Sequence, residues 1–361
     1  ARFDSESYTY GYSFSQELLD EWHWQERFSS QPENLRYLNF VVEKFDLRRH
    51  MRFDARVVSM CWEESTRRWL LELESGASCS ARFVVTGIGV LSVPTLPRYP
   101  GLEEFAGESF HTFYWPKDPV ALAGRRVGVV GTGATGIQVI GEIADKVGEL
   151  FVFQRRPNWS TPLNNSPISA QEMAAIRARY DEIFANCAAS PNGFEHVPDR
   201  RGFYSLSAEE RKATWDALYD QPGFALLAGN FPEIFFDEAA NREISNYVAE
   251  RIRARVKDPA TAEKLIPKDH GFGLQRLPLE TNYFEAYNRD NVTLVDVTES
   301  PIEKITPGGI QTSAAHYDLD LIVYATGFDA ITGGFDQIQI EGADGQRLGD
   351  KWRQGPSTYL G

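Results

Sequence analysis

The stretch RRVGVVGTGATGIQVI, residues 125–140, decides the fold. It begins as a short apolar run of strand type, Arg125–Val130, continues at once into Gly131-Thr-Gly133-Ala-Thr-Gly136, and then takes up a helical pattern. A glycine fingerprint of this kind is weak alone; a strand before it and a helix after it are the context it requires. Gly131 permits the tight turn, Gly133 leaves the backbone open to a pyrophosphate, and Gly136 lets helix and strand pack closely. The unpaired N–H groups at the helix start then hold phosphates. Gly131, Thr132, Gly133, Ala134, Thr135, Gly136, Ile137 and Gln138 are the candidate dinucleotide contacts. The alternative is an ordinary glycine-rich turn.

Outward from this motif, Glu149–Phe153 reads as the next strand. At its end, where an acidic residue would select NAD, stands Gln154-Arg155-Arg156. Two guanidinium groups suit the 2′-phosphate of NADP. On the other side, Pro94, Pro97 and Pro100 read as a stiff connection between domains. Before them, Glu33–Phe45 reads as a helix with Leu35, Leu38, Val42 and Phe45 at helical spacing, and Ala55–Trp62, Trp69–Glu74 and Cys79–Thr86 read as a β-meander. Ser169–Glu263 is helical in pattern, with Ile244, Val248, Ile252 and Val256 stepping by four. Strand-type runs return at Val292–Val297, Ile302–Ile305 and Leu319–Tyr324.

The 361 residues carry a net charge of −14. That balance argues against nucleic acid, whose binders present a basic face. No stretch of about 20 apolar residues is present, so no membrane span is expected. Cys61, Cys79 and Cys187 are too few and scattered for a disulfide framework or zinc site and fit a reducing compartment. With no signal-peptide pattern, the reading is a cytosolic protein.

The most specific signal is Phe105-Ala-Gly107-Glu-Ser-Phe-His111-Thr-Phe-Tyr-Trp115-Pro116, which fits F-x-G-x-x-x-H-x-x-x-W-P at each fixed position. From its composition the segment is a linker with a polarisable histidine beside aromatic residues. The pattern is the fingerprint of the Baeyer–Villiger monooxygenases, and the chain resembles that family over nearly its whole length. Ala1-Arg2-Phe3-Asp4 matches the tail of an N-terminal P-G-x-x-x-D fingerprint. Ser13-Phe14-Ser15, Glu21-Trp22 and Ser30-Gln31-Pro32-Glu33 are also similar. Tyr324-Ala-Thr-Gly-Phe-Asp329 resembles an element of flavoproteins with two dinucleotide domains, and Gly273-Leu-Gln275-Arg276-Leu-Pro278 the segment of the catalytic arginine.

The resemblance implies an α/β fold with two Rossmann-like dinucleotide-binding domains, for FAD and NADP, and a helical insertion. The expected parts are residues 1–93 (partial FAD-binding domain), 94–165 (NADP-binding domain, first part), 166–268 (helical insertion), 269–329 (NADP-binding domain, second part) and 330–361 (returning FAD-binding domain). The start at Ala1 and the end at Gly361 in mid-domain read as truncation at both ends. By resemblance, Arg276 and Asp4 are catalytic, with Asp4 holding Arg276 beside the flavin. Arg2, Phe3, Asp4, Tyr10, Val57, Gln275 and Arg276 join residues 131–138, Arg155 and Arg156 as cofactor contacts, and His111 orients and couples domains. Where many members carry lysine, this chain has Gln275. The implied reaction inserts one atom of O2 beside a ketone carbonyl, using NADPH through a C4a-peroxyflavin. The alternatives are an N- or S-oxygenating flavin monooxygenase and a non-catalytic NADP-binding relative.

Overall fold

In the computed structural model, residues 2–359 are described; Ala1 and the last two residues, which belong to the expected segments 1–93 and 330–361, lie outside the described residues. The chain forms two compact units. One comprises residues 1–45 and 98–325, the other 46–97 and 326–361. The chain passes back to the first unit after Pro97, within the proline cluster. Residues 1–45, expected with the FAD-binding part, instead group with the unit that carries the glycine motif.

That larger unit is built on a parallel sheet of β1 (Glu108–His111), β2 (Arg126–Val130), β3 (Glu149–Gln154), β4 (Val292–Asp296) and β5 (Leu321–Tyr324), in the order β1-β5-β2-β3-β4. Alternation along each strand sends side chains to two different cores. Val127, Val129, Leu150, Val152, Leu321 and Val323 face one core with Ile137 and Ile140 of helix α1 (Ala134–Ile143). Val130, Phe153, Ile322 and Tyr324 face another with Ile305 and Ile310 of a three-stranded antiparallel sheet inserted between β4 and β5. Burial on both faces explains why these strands read as unbroken apolar runs.

The helical insertion contains the expected helices. Its longest, Glu238–Arg255, buries Ile244, Tyr247, Val248 and Ile252 against the α1 side of the sheet. Among the described residues no helix is long and apolar enough to cross a membrane. The other unit carries a four-stranded mixed sheet of Gln339–Glu341, Val57–Glu63, Arg68–Leu73 and Ser78–Ala81.

Three local expectations are corrected. The run Cys79–Thr86 is a strand only to Ala81; Phe83 and Val85 are 81% and 94% exposed, with no strand pairing to them among the described residues. The helix Gln31–Lys44 buries Glu33, Tyr37 and Val41, whereas Leu35 and Leu38 are exposed; the aromatic ring of Tyr37 packs between Trp22 and Trp24 and sets the inward face. The segment read as a linker contains β1, an edge strand pairing Glu108–His111 with Leu321–Tyr324. The fingerprint glycine has a steric cause there: a Cβ on Gly107 would lie 2.6 Å from the Phe105 ring and 2.7 Å from the Asp320 carbonyl oxygen. His111 is buried, and its Nδ1 accepts from the Phe113 N–H at 3.1 Å, while Trp115 packs edge-on against Phe110.

One close approach positions the site. A Cβ on Gly141 of α1 would lie 2.2 Å from the Thr281 carbonyl oxygen. The chain just before Thr281 pairs Leu279 and Glu280 with Thr161 and Pro162, and the same short strand packs against α1. Alanine at position 141 gains about 1 kcal/mol in helix propensity, but overpacking of this kind costs ~1–3 kcal/mol. Gly141→Ala is therefore expected to lower the thermal unfolding temperature. An unchanged melting curve would show that α1 and the Thr281 segment separate freely.

Candidate active site

The glycine loop has the geometry its sequence predicts. Gly131 has φ of +107°, a conformation that side chains rarely adopt. A Cβ on Gly136 would lie 2.2 Å from the Gly131 carbonyl oxygen, so the loop and the first turn of α1 need that glycine. A Cβ on Gly133 would meet nothing within 4 Å, so this position faces open space where a pyrophosphate can approach the backbone. The Thr132 hydroxyl donates to the Arg156 carbonyl at 2.8 Å and ties the loop to the end of β3. Ile137 is only 1% exposed and belongs to the core, so only its backbone is available to a cofactor.

The start of α1 opens into a cleft of about 870 Å³. Ala134, Thr135 and Gln138 line it on the helix side; Arg2, Phe3, Asp4 and Tyr10 line it from the N-terminal segment; Gln275 and Arg276 complete it. The structure thus gathers most of the sequence-predicted residues in one place. Val57 lies in the other unit, at the start of a strand, and Arg155 and Arg156 do not line this cleft.

Within the cleft, Arg276 Nη2 lies 2.6 Å from Asp4 Oδ2. The Arg276 Nη1 also donates to the Leu277 carbonyl, and the guanidinium carbon sits 5.5 Å from the centre of the Phe224 ring. Gln138 Nε2 donates to Asp4 Oδ1 and to the Arg2 carbonyl, each at 3.3 Å, while its Oε1 accepts from the Arg2 N–H. Arg2 is itself anchored by Glu26 at 2.5 Å and by the Phe28 carbonyl at 2.7 Å. Phe3 and Tyr10 pack with ring centres 4.5 Å apart. The result is a fixed cation, 60% exposed to the cleft, backed by a carboxylate only 10% exposed.

Phe224 and Leu227, from the insertion, also line the cleft and were not singled out from sequence. Nothing in the run Phe224-Ala-Leu-Leu distinguishes a cation platform from core, because both demand the same apolar residues.

Burial of Asp4 pushes its carboxyl above the ordinary aspartate range, and the Arg276 guanidinium offsets this only in part. A raised pKa means that folding favours the protonated form. Its stabilising contribution is complete below the ordinary carboxylate pKa and is lost as pH rises through the raised value. At neutral pH the ionised carboxylate is therefore a cost to the fold. Asp4→Asn is expected to leave the unfolding temperature unchanged or higher at neutral pH, with any gain fading in acid. A marked drop at neutral pH would show that the ion pair is a net stabiliser.

Comparison with known proteins bears on the same residues. Residues 14–184 match the model of the flavin-binding monooxygenase-like family. The chain is 47% identical over 366 residues to 2-oxo-Δ3-4,5,5-trimethylcyclopentenylacetyl-CoA monooxygenase of Pseudomonas putida, covering 100% of this chain and 67% of that protein. It is 39% identical over 360 residues to a Baeyer–Villiger monooxygenase of Pseudooceanicola batsensis, covering 99% and 66%. The crystal structure of OTEMO in complex with FAD and NADP superposes with a TM-score of 0.97 at 47% identity, over 100% of this chain and 69% of that one. The chain thus spans about two thirds of the length of these relatives. With relatives of this identity aligned over 99–100% of this chain, the chain belongs to the Baeyer–Villiger monooxygenase family.

Proposed function

We propose that this chain carries the nicotinamide-binding part and the arginine centre of an NADPH-dependent flavin monooxygenase that inserts one oxygen atom of O2 beside a ketone carbonyl. The observation that carries the reading is the single cleft shared by the start of α1, directly after the glycine loop, and the Asp4–Arg276 pair. The donor sets fit the two cofactors. Gly131, Gly133 and the start of α1 suit the pyrophosphate of NADP, and Arg2, Phe3, Asp4 and Tyr10, opposite Arg276, suit the flavin side. The three unpaired cysteines fit a reducing cytoplasm.

When bound, the flavin and the nicotinamide supply the hydride transfer and the oxygen activation. The chain's own residues supply position and charge. Arg276 brings a guanidinium cation to the cleft. It therefore favours the deprotonated form of an oxygen nucleophile and the negative charge that builds on the attacked carbonyl oxygen. A charge pair at ~4 Å and an effective dielectric of 20 is worth about 4 kcal/mol, an upper figure for a group partly open to water. Asp4 orients the guanidinium, Gln138 locks Asp4 to the backbone of Arg2, and Phe224 supports the cationic plane from the opposite element. An N- or S-oxygenating enzyme needs an electrophilic oxygen, which a fixed cation of this kind disfavours.

Two variants test this reading. Gly133→Val fills the open space above the loop without meeting protein atoms at its Cβ. It is expected to abolish nicotinamide nucleotide binding, measured by calorimetry, while the melting curve is kept; tight NADPH binding in that variant would make the loop an ordinary turn. Arg276→Ala is expected to retain NADPH-dependent flavin reduction and to lower ester formation by roughly 10²–10³, the loss typical of one preorganised electrostatic group. Ester formation at the parent rate would remove Arg276 from the chemistry.

A further inference from the structure

The two arginines at the end of β3 stand in different surroundings. Arg155 makes no ion pair among the described residues, and its charge is felt by the half-buried Tyr99 hydroxyl. Arg156 instead lies with Nη1 3.7 Å from Asp269 Oδ2. Both partners of that contact are anchored. The Arg156 carbonyl accepts from the Thr132 hydroxyl at 2.8 Å, which ties this residue to the glycine loop. Asp269 Oδ1 meets His270 Nδ1 at 2.7 Å, and the His270 carbonyl accepts from the Trp159 indole at 3.0 Å. The Asp269 carboxylate is thus presented by its loop to an Arg156 side chain that is 72% exposed and anchored through its backbone.

The surroundings of Arg156 carry an excess of negative charge. The shallow cleft it lines holds three cations, Arg156, Lys264 and Lys268, against four carboxylates, Glu263, Asp269, Asp296 and Glu299. Lys264 pairs with Glu299, and Lys268 lies 3.6 Å from Glu263. A phosphate arriving beside Arg156 meets a carboxylate holding that guanidinium and a surplus of negative charge around it.

We propose that Asp269 is a specificity-determining residue that competes with the 2′-phosphate of NADP for Arg156, leaving Arg155 as the principal reader of that phosphate. This rests on the NADP reading above and divides the work within it. The chain compensates for Gln275, which brings no charge, with a second arginine, and Asp269 limits how far that compensation goes. Replacing Asp269 by asparagine keeps a hydrogen-bonding side chain toward His270 and removes the competing charge.

The test measures the affinity of NADP⁺ and NAD⁺ by calorimetry for the parent chain, Arg155→Ala, Arg156→Ala, Asp269→Asn and the Arg156→Ala/Asp269→Asn double variant. Asp269→Asn is expected to bind NADP⁺ roughly two- to fivefold more tightly, the range that release of an exposed ion pair allows. NAD⁺ affinity stays the same. The gain disappears in the double variant, because the freed group is Arg156. Arg155→Ala lowers NADP⁺ affinity more than Arg156→Ala does. A parent that prefers NADP⁺ but is unaffected by Asp269→Asn, or a gain that persists without Arg156, overturns the proposal alone. Equal parent affinity for the two nucleotides overturns the NADP reading and this proposal together.

Discussion

The ion pair between Asp4 and Arg276 joins residues 272 positions apart, and the site depends on it. Its geometry is good, yet it does little for the fold. Exposed pairs contribute about 0–1 kcal/mol, and burying the Asp4 carboxylate costs enough to push its pKa up even with the guanidinium in contact. A contact of 2.6 Å that only partly offsets the burial of the ionised carboxyl is explained by position. It fixes where a permanent positive charge points in a cleft that also receives the start of a helix. Every other feature of the site serves that placement: the glycine contact of α1 with Thr281, the short pairing of Leu279–Glu280, the Gln138 clamp and the Phe224 ring.

Much of this was legible in the sequence because it is local. The strand, glycine turn and helix of residues 125–140 obey short-range sterics, and the positive φ of Gly131 and the blocked Cβ of Gly136 are the physical content of the fingerprint. The linker fingerprint was legible for a similar reason, since Gly107 has no room for a side chain and Trp115 needs Phe110 as its partner. The meeting of Asp4 and Arg276 was legible only through family resemblance, because no periodicity or spacing links residues so distant.

What the sequence hid was set by tertiary packing. Helix Gln31–Lys44 presents Tyr37 and Val41 inward while Leu35 and Leu38 stay exposed, a choice made by the surrounding tryptophans and not by hydrophobicity. The edge strand Glu108–His111 has no apolar alternation and exists because β5 offers it a partner. Phe224 and the Asp269 contact came from the insertion and from a loop whose approach no motif announces. The adjacent Arg155 and Arg156 read as one basic pair in sequence and as two different environments in space.

The central claim is that Asp4 acts through Arg276, as one unit. The direct measurement is a double-mutant cycle on ester formed per NADPH consumed, comparing Asp4→Asn, Arg276→Ala and the two combined in the cofactor-loaded enzyme. If Asp4 works by orienting the guanidinium, the double variant is no worse than Arg276→Ala alone, because the orienting group has nothing left to orient. Losses that multiply in the double variant would show two independent contributions and contradict the account.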